Sequence, residues 1–371
     1  MRRDAGVGEV HLGKVIHLVG RMTDEVFSFL GPATLALAES GVEQTLLMVD
    51  DADCRRLLPR LHDSIDLVLT AESRSPMQRW KASLRALRTS LHAGPVSAVH
   101  LHGFVPVLLA PYVLRAAKIT APVYYSPHSS KALNSMSGLG MVLWWATRPV
   151  HNLARERPIV NMPVDARGLS GMLGEGSVEL VESPVADVFF NVRRNETARP
   201  LVLTGSRLEN PRSAELMAQL AVLLGDEDLG LSFNWIGETT SSSMQRLKAA
   251  NVAVFEVPDE ADRAHRLSRA WMYIAPGGTR GFPSFLVEAM AAGLPCIAMD
   301  TPYHRDFIRD GDTGYLCNSP EQVLDCVAQL IDFPELRQSM GAAAKAEARG
   351  RFDGGKFRDS LFAAYDIHPV S

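Results

Sequence analysis

The sequence predicts an α/β protein built from two doubly wound, parallel-sheet domains, and three observations carry that expectation. Short apolar runs of strand length alternate with helical segments, the pattern of parallel strands covered on both faces by crossover helices. The plan is laid down twice, once in each half of the chain. At 371 residues the chain is long for one core and comfortable for two.

In the first half, Lys14 to Gly20 reads as a buried strand and Phe29 to Ser40 as a helix stopped by Gly41. Further strands are expected at Thr45 to Val49, Val96 to His102 and Pro122 to Ser126, with an apolar helix from about Val105 to Lys118. In the second half, strands are expected at Leu201 to Thr204, Ser232 to Ile236 and Val252 to Glu256, and a helix at Ala214 to Leu224. The polar stretch Phe190 to Pro200 reads as the linker. The expected domains are therefore 1–190 and 200–350, with residues 351–371 a helix packing outside the sheet.

Composition narrows the function classes. Apolar content of 46%, charged content of 22% and a net charge of −4 describe an ordinary globular chain with no overall attraction for nucleic acid. Four cysteines without CxxC spacing read as reduced, buried residues of a cytoplasmic protein. No signal peptide and no apolar run long enough for a membrane span are recognised. The charge map is uneven: residues 74–155 hold ten Lys and Arg and no Asp or Glu. Within them Met77, Trp80, Leu84, Leu87 and Leu91 share a helical face, with Arg79, Lys81, Arg85 and Arg88 off it. With the Trp144–Trp145 pair, this suggests a basic, aromatic-tipped surface resting on anionic lipid. An ordinary packed helix with a solvated basic face is the alternative.

The most informative stretch is Trp271 to Met299. A strand ending at Ala275 leads into a glycine loop, Gly277 to Gly281. A helix then starts at Pro283–Ser284 and is closed by Gly293 and Pro295, and a second strand begins at Cys296. A glycine-fronted helix start offers unpaired N–H groups to a phosphate, and Glu288, one turn in, offers a carboxylate to sugar hydroxyls. After the strand at Leu201, Arg207 and Arg212 stand at a strand end, where two guanidinium groups suit a diphosphate. Two surface arginines are the plainer reading of that segment alone. Gly237, again at a strand end, permits close approach of a ligand to backbone.

Together these motifs resemble the retaining nucleotide-sugar glycosyltransferases of GT-B fold, the large group four that builds bacterial polysaccharides and glycolipids. Ser206-Arg207-Leu208 with Arg212 looks like that family's Gly-Arg-Leu segment and following Lys. Gly281-Phe282-Pro283 and Glu288-Ala-Met-Ala-Ala-Gly293-Leu-Pro295 look like its hallmark. Ser183-Pro184-Val185 and Asp310-Gly-Asp-Thr-Gly-Tyr-Leu316 look like its interdomain segment and its Asp-Gly-x-x-Gly-x-Leu turn. The resemblance implies that Arg207 and Arg212 hold the donor diphosphate. It also implies that amides near Phe285 and Leu286 hold the distal phosphate and Glu288 the ribose, with Gly237 and residues 280–286 around the donor.

Two positions depart from the family pattern. Arg280 replaces the first of its two glutamates, which implies either an acidic donor sugar held by a carboxylate fork or a weakened enzyme. Asp24–Glu25 stands where the family has a Gly-Gly loop. His128 looks like the family histidine that meets the donor sugar or the leaving phosphate. His100 and His102 have a spacing that suits zinc. With no third ligand evident they read as satisfied core histidines, so no metal and no cofactor are expected. Asp50-Asp51-Ala-Asp53 reads as a solvated loop.

The expected activity is transfer of a sugar, with retention, from a nucleoside diphosphate sugar to a lipid-linked or polysaccharide acceptor, at the inner face of the cytoplasmic membrane. The alternatives are a catalytically weak GT-B scaffold of a glycan-assembly complex and, further off, a nucleotide-sugar epimerase.

Overall fold

The computed structural model describes residues 14–73, 75–128, 156–205, 211–225, 230–237, 239–256, 259–277 and 282–367. It divides into two compact units. One holds the chain up to Asn161, Asp165–Val181 and everything from Arg358 on; the other holds Met162–Val164 and Glu182–Phe357.

The first unit runs β1 (Lys14–Val19), α1 (Asp24–Glu39), β2 (Gln44–Asp50), α2 (Ala52–Leu57), β3 (Asp66–Ala71), α3 (Pro76–His92), β4 (Val96–His102) and α4 (Phe104–Ala116). It continues through β5 (Val123–Ser126), β6 (Glu156–Val160), α5 (Pro163–Leu173) and β7 (Glu179–Leu180). The strands form one parallel sheet in the order β3-β2-β1-β4-β5-β6-β7. Alternation along the strands sorts the core. Ile16, Leu18, Val99 and Leu101 point to one face, with Leu87 and Leu91 of α3. His17, His100 and His102 point to the other, where Phe29 of α1 meets them.

The second unit runs α6 (Asp187–Asn191), β8 (Leu201–Gly205), α7 (Pro211–Gly225), β9 (Ser232–Ile236), α8 (Ser241–Ala249), β10 (Val252–Phe255) and α9 (Glu260–Arg269). There follow β11 (Met272–Ala275), α10 (Ser284–Ala291), β12 (Cys296–Met299), β13 (Gly314–Cys317), α11 (Pro320–Asp332), α12 (Pro334–Arg351) and α13 (Gly354–Tyr365). Its parallel sheet has the order β10-β9-β8-β11-β12-β13. Leu203, Tyr273 and Ala298 line one face, and Val202, Ile274 and Ile297 the other, so both faces carry a core.

The parallel, doubly wound plan stands as expected. Strands β3, β6, β7 and β13 are additional to those read from the sequence. β3 is an edge strand with Leu67 and Leu69 exposed, and β7 has two residues, so neither has the apolar run of a central strand.

Two boundaries differ from expectation. The stretch 190–200 is not a free linker. Phe190 is in the core of the second unit, and Arg194 donates to the carbonyls of Leu267 and Ser268 at 2.9 and 3.3 Å. The chain end does not stay with the second unit: from Arg358 on it belongs to the first, where Tyr365 is buried against Tyr124 with ring centroids 4.8 Å apart.

The acidic runs near the chain start stand at helix N-termini. Asp24 and Glu25 form the first turn of α1, and Arg56 binds Asp24 at 2.7 Å. Asp51 caps α2 by accepting from the Cys54 amide at 2.8 Å, and Asp50 pairs with Arg55, so that run is a capping loop.

Candidate functional site

In the second unit the strand order reverses between β8 and β11, because β8 continues outward to β9 and β11 to β12. Crossovers therefore leave the adjacent ends of β8 and β11 on opposite faces and open a crevice beyond them. Two bonds shape it. Ser213, in the first turn of α7, donates its hydroxyl to the Gly277 carbonyl at 2.6 Å and ties the loop after β11 to that helix. Tyr273 donates its hydroxyl to the Gly205 carbonyl at 3.0 Å. Gly205 has no room for a side chain: a Cβ there would lie 2.6 Å from the Phe285 ring and 2.8 Å from the Ile236 carbonyl. Gly277, with φ of 94°, and Gly237, with φ of 107°, occupy the left-handed region that favours glycine.

At the start of α10, Pro283 has no N–H, Ser284 donates to Phe282 and Leu286 donates to Pro283 at 3.0 Å. The Phe285 amide has no partner among the described residues. One turn on, Glu288 is buried and gripped on both oxygens by Arg263 of α9, at 2.8 and 2.9 Å. Arg263 is itself flanked by the rings of Phe189 and Phe285, each 5.5 Å from its guanidinium carbon. Burial opposes the charge on Arg263, and the combined pull of Glu288, Glu260 and Asp259 outweighs it. Glu288 is thus a fixed carboxylate rather than a swinging one. Nothing in the sequence around Glu260-Ala-Asp-Arg263 marks this partner, which comes from the helix before β11. Arg212 is exposed at the start of α7. Arg207, Arg280 and Gly281 lie outside the described residues.

In the first unit, parallel pairing sets His17 beside His100 and Val19 beside His102. A third histidine therefore joins the two on β4, and the ring nitrogens of His17, His100 and His102 lie within 4.8 Å of one another. His17 Nδ1 is 3.2 Å from His102 Nε2, and His102 Nδ1 is 2.8 Å from His128 Nε2. His100 Nε2 meets the Ser126 hydroxyl at 2.9 Å, and its Nδ1 meets the Tyr365 hydroxyl at 2.5 Å. His128 holds a left-handed backbone, φ of 55°, a strain that an apolar turn would not retain. Its ring lies edge to edge with that of His102 and nearly coplanar with it, with centroids 5.1 Å and planes 12° apart, and its centroid is 5.6 Å from that of Phe29. Burial keeps all four imidazoles neutral. His128 is pushed down to about 3, and His17 to about 4 against a partial upward pull from Gln44. His100 and His102 lie well below the usual range, through burial first and the neighbouring histidines second.

Unfolding returns these imidazoles to about 6.5, so below that pH the unfolded chain binds protons that the native one refuses. The stabilisation is complete above pH 6.5 and is lost as pH falls toward the native values. Chemical denaturation of the first unit at steps from pH 7.5 to 5 is expected to show stability falling, with a limiting slope of about 1.4 kcal/mol per pH unit for each such histidine. A flat profile would contradict the buried neutral cluster. In the second unit, Arg263→Ala is expected to cost about 3 kcal/mol in urea unfolding, because it strips the cation from a buried carboxylate. Arg263→Met combined with Glu288→Gln should recover most of that loss. Equal losses in the single and double variants would rule out the charge argument.

Comparison with known proteins agrees with this architecture. Residues 194–347 match the family described as glycosyl transferases group 1. A phosphatidyl-myo-inositol mannosyltransferase of Mycobacterium leprae is 34% identical over 116 residues, which is 30% of this chain and 31% of that one. The enzyme of the same name from Mycobacterium tuberculosis strain H37Rv is 25% identical over 302 residues, 77% of each chain. The crystal structure of Anabaena HepE in complex with UDP superposes with a TM-score of 0.75 at 12% identity, covering 95% of this chain and 99% of that one. The fold is GT-B, and residues 194–347 are the part of this chain that matches the group 1 glycosyl transferases.

Proposed function

We propose that this protein transfers a sugar, with retention, from a nucleoside diphosphate sugar to a hydroxyl of a lipid-linked or polysaccharide acceptor. The observation that carries the reading is the crevice of the second unit, where Ser213 ties the loop of Gly277 to α7 and the Phe285 amide opens α10. An anion seated there meets a helix start with the favourable end of its dipole. The match of residues 194–347 to the glycosyl transferases, and UDP in the HepE crystal structure, support a nucleotide diphosphate as that anion.

In this reading Arg207 and Arg212 neutralise the diphosphate as the glycosidic bond breaks, and the Phe285 amide adds a donor to the distal phosphate. Catalysis is then electrostatic stabilisation of the leaving group, and the departing phosphate oxygen takes the acceptor proton. Glu288, oriented by Arg263, receives the ribose hydroxyls. The same reading gives Arg280 to the donor sugar, where a guanidinium suits a carboxylate-bearing one. In the first unit, His128 is the residue proposed to meet a sugar hydroxyl or a phosphate oxygen.

The acceptor is proposed to lie at a lipid surface. No helix among the described residues is long and apolar enough to cross a membrane. In α3, Leu87 and Leu91 are buried in the core and Leu84 packs against it, so that part of the helix is ordinary packing. Met77 is 66% exposed, and Lys81, Arg85 and Arg88 are exposed beside it. The other half of the basic region, 129–155 with Trp144 and Trp145, lies outside the described residues.

A thermal-shift screen across UDP-, GDP-, ADP- and dTDP-sugars should identify one donor that raises the melting temperature, since a ligand of the native state stabilises by mass action. Arg212→Ala should weaken that donor about tenfold or more, the worth of one charge-assisted hydrogen bond. If no nucleotide sugar shifts melting and none is turned over with membranes supplied, the activity is wrong. For the lipid surface, Lys81→Glu with Arg85→Glu and Arg88→Glu should weaken sedimentation with anionic vesicles on the order of a hundredfold at low salt. Equal sedimentation of the unaltered chain with neutral and anionic vesicles would remove the membrane role.

A further inference from the structure

The histidines of the first unit carry more information than their burial. His17, His100 and His102 have the spacing of a metal triad, but the hydrogen bonds exclude His100 from ligation. The Ser126 hydroxyl donates to the Ile159 carbonyl at 2.7 Å, so toward His100 Nε2 it accepts, and that nitrogen carries the proton. His100 Nδ1 then accepts from the Tyr365 hydroxyl. Both of its nitrogens are committed, and no lone pair is left for a cation. What remains is a hydrogen-bonded row of three rings, His17–His102–His128.

A neutral imidazole has one N–H, and His102 is flanked on both nitrogens, so it donates on one side and accepts on the other. The row therefore has two proton arrangements. Gln44 distinguishes them. Its amide nitrogen donates to the Thr34 carbonyl at 2.8 Å, which fixes Oε1 as the other end of the group. Gln44 Oε1 and His17 Nε2 are both buried without a hydrogen bond, and β2 pairs Gln44 with Val15, two residues from His17 on the same face. A proton on His17 Nε2 supplies a donor on the face where that oxygen lacks one. A bare Nε2 would bury two acceptors near each other, at the full desolvation penalty of each. The Gln44 side chain is also the group that draws His17 back upward against burial. With Nε2 protonated, His17 Nδ1 accepts from His102 Nε2, and His102 Nδ1 accepts from His128 Nε2.

We propose that Gln44, acting through His17 and His102 as positioning residues, fixes His128 as its Nε2–H tautomer and presents Nδ1 as a hydrogen-bond acceptor to a hydroxyl of the ligand bound by the first unit. His128 Nδ1 has no partner among the described residues, and the left-handed backbone and the in-plane hydrogen bond to His102 hold the ring in one orientation. The ligand class follows. A bare nitrogen lone pair attracts a sugar or polyol hydroxyl and repels a phosphate or carboxylate oxygen. This rests on the reading of His128 as a ligand-facing residue, and it decides between the two partners that reading left open.

The test is tautomer assignment by long-range ¹H–¹⁵N correlation spectra of the full chain with ¹⁵N-labelled histidine near pH 7.5. Single His→Gln variants assign the signals. The expected result is a protonated Nε2 at His17, His102 and His128, with Gln44→Met turning His128 from one tautomer into a mixture. A protonated Nδ1 at His128 in the unaltered protein overturns the proposal, as does an unchanged His128 signal in folded Gln44→Met. Should Gln44→Met not fold, the spectrum of the unaltered protein decides alone. One equivalent of cobalt(II) bound with visible absorption that His17→Gln abolishes also overturns it, since a cation would replace the bond between His17 and His102. The expected tautomers in a protein that turns over no nucleotide sugar would support the relay while sinking the proposed activity.

Discussion

Each unit depends on one seam of backbone hydrogen bonds, where its first strand pairs in parallel with a strand laid down much later in sequence. In the first unit β1 pairs with β4, and in the second β8 pairs with β11. Each seam is where the strand order turns back, so each leaves a crevice at the strand ends. The second unit lines its crevice with glycine and a helix start. The first unit lines its own face with histidine. The same topology thus supports two chemistries, because the seam decides only which residues become neighbours.

The two linings solve different electrostatic problems. Around Glu288 the protein buries a carboxylate and meets it on both oxygens with a guanidinium that has two phenyl rings 5.5 Å from it, so the carboxylate is held in place. Around His128 it buries four imidazoles and keeps them uncharged, joined to one another and to the Ser126 and Tyr365 hydroxyls by hydrogen bonds. A neutral row can hold the orientation of a proton without the cost of burying an ion. Gly341 approaches Gly293 so closely that a Cβ would lie 2.3 Å from its carbonyl oxygen. With no side chain there, α12 rests directly on the end of the helix that carries Glu288.

Periodicity along the chain determined much of this protein by itself. Buried parallel strands need apolar side chains on both faces, so β1, β2, β4, β5, β8, β9, β11 and β12 are legible as apolar runs. The helix start at Pro283–Ser284 is legible because proline and serine fit the first turn for local reasons. The edge strand β3 and the two-residue β7 were not legible, since an exposed or minimal strand carries no such pattern. Only the tertiary structure decided who meets whom. Register across β1 and β4 brought His17 to His100 and His102, pairing with β2 placed Gln44 near His17, and the chain end returned Tyr365 to His100. Arg263 reached Glu288 from a helix 25 residues earlier. Local sequence specifies backbone conformation through steric preferences a few residues long, whereas these contacts arise from strand pairing between distant segments, which no local preference encodes.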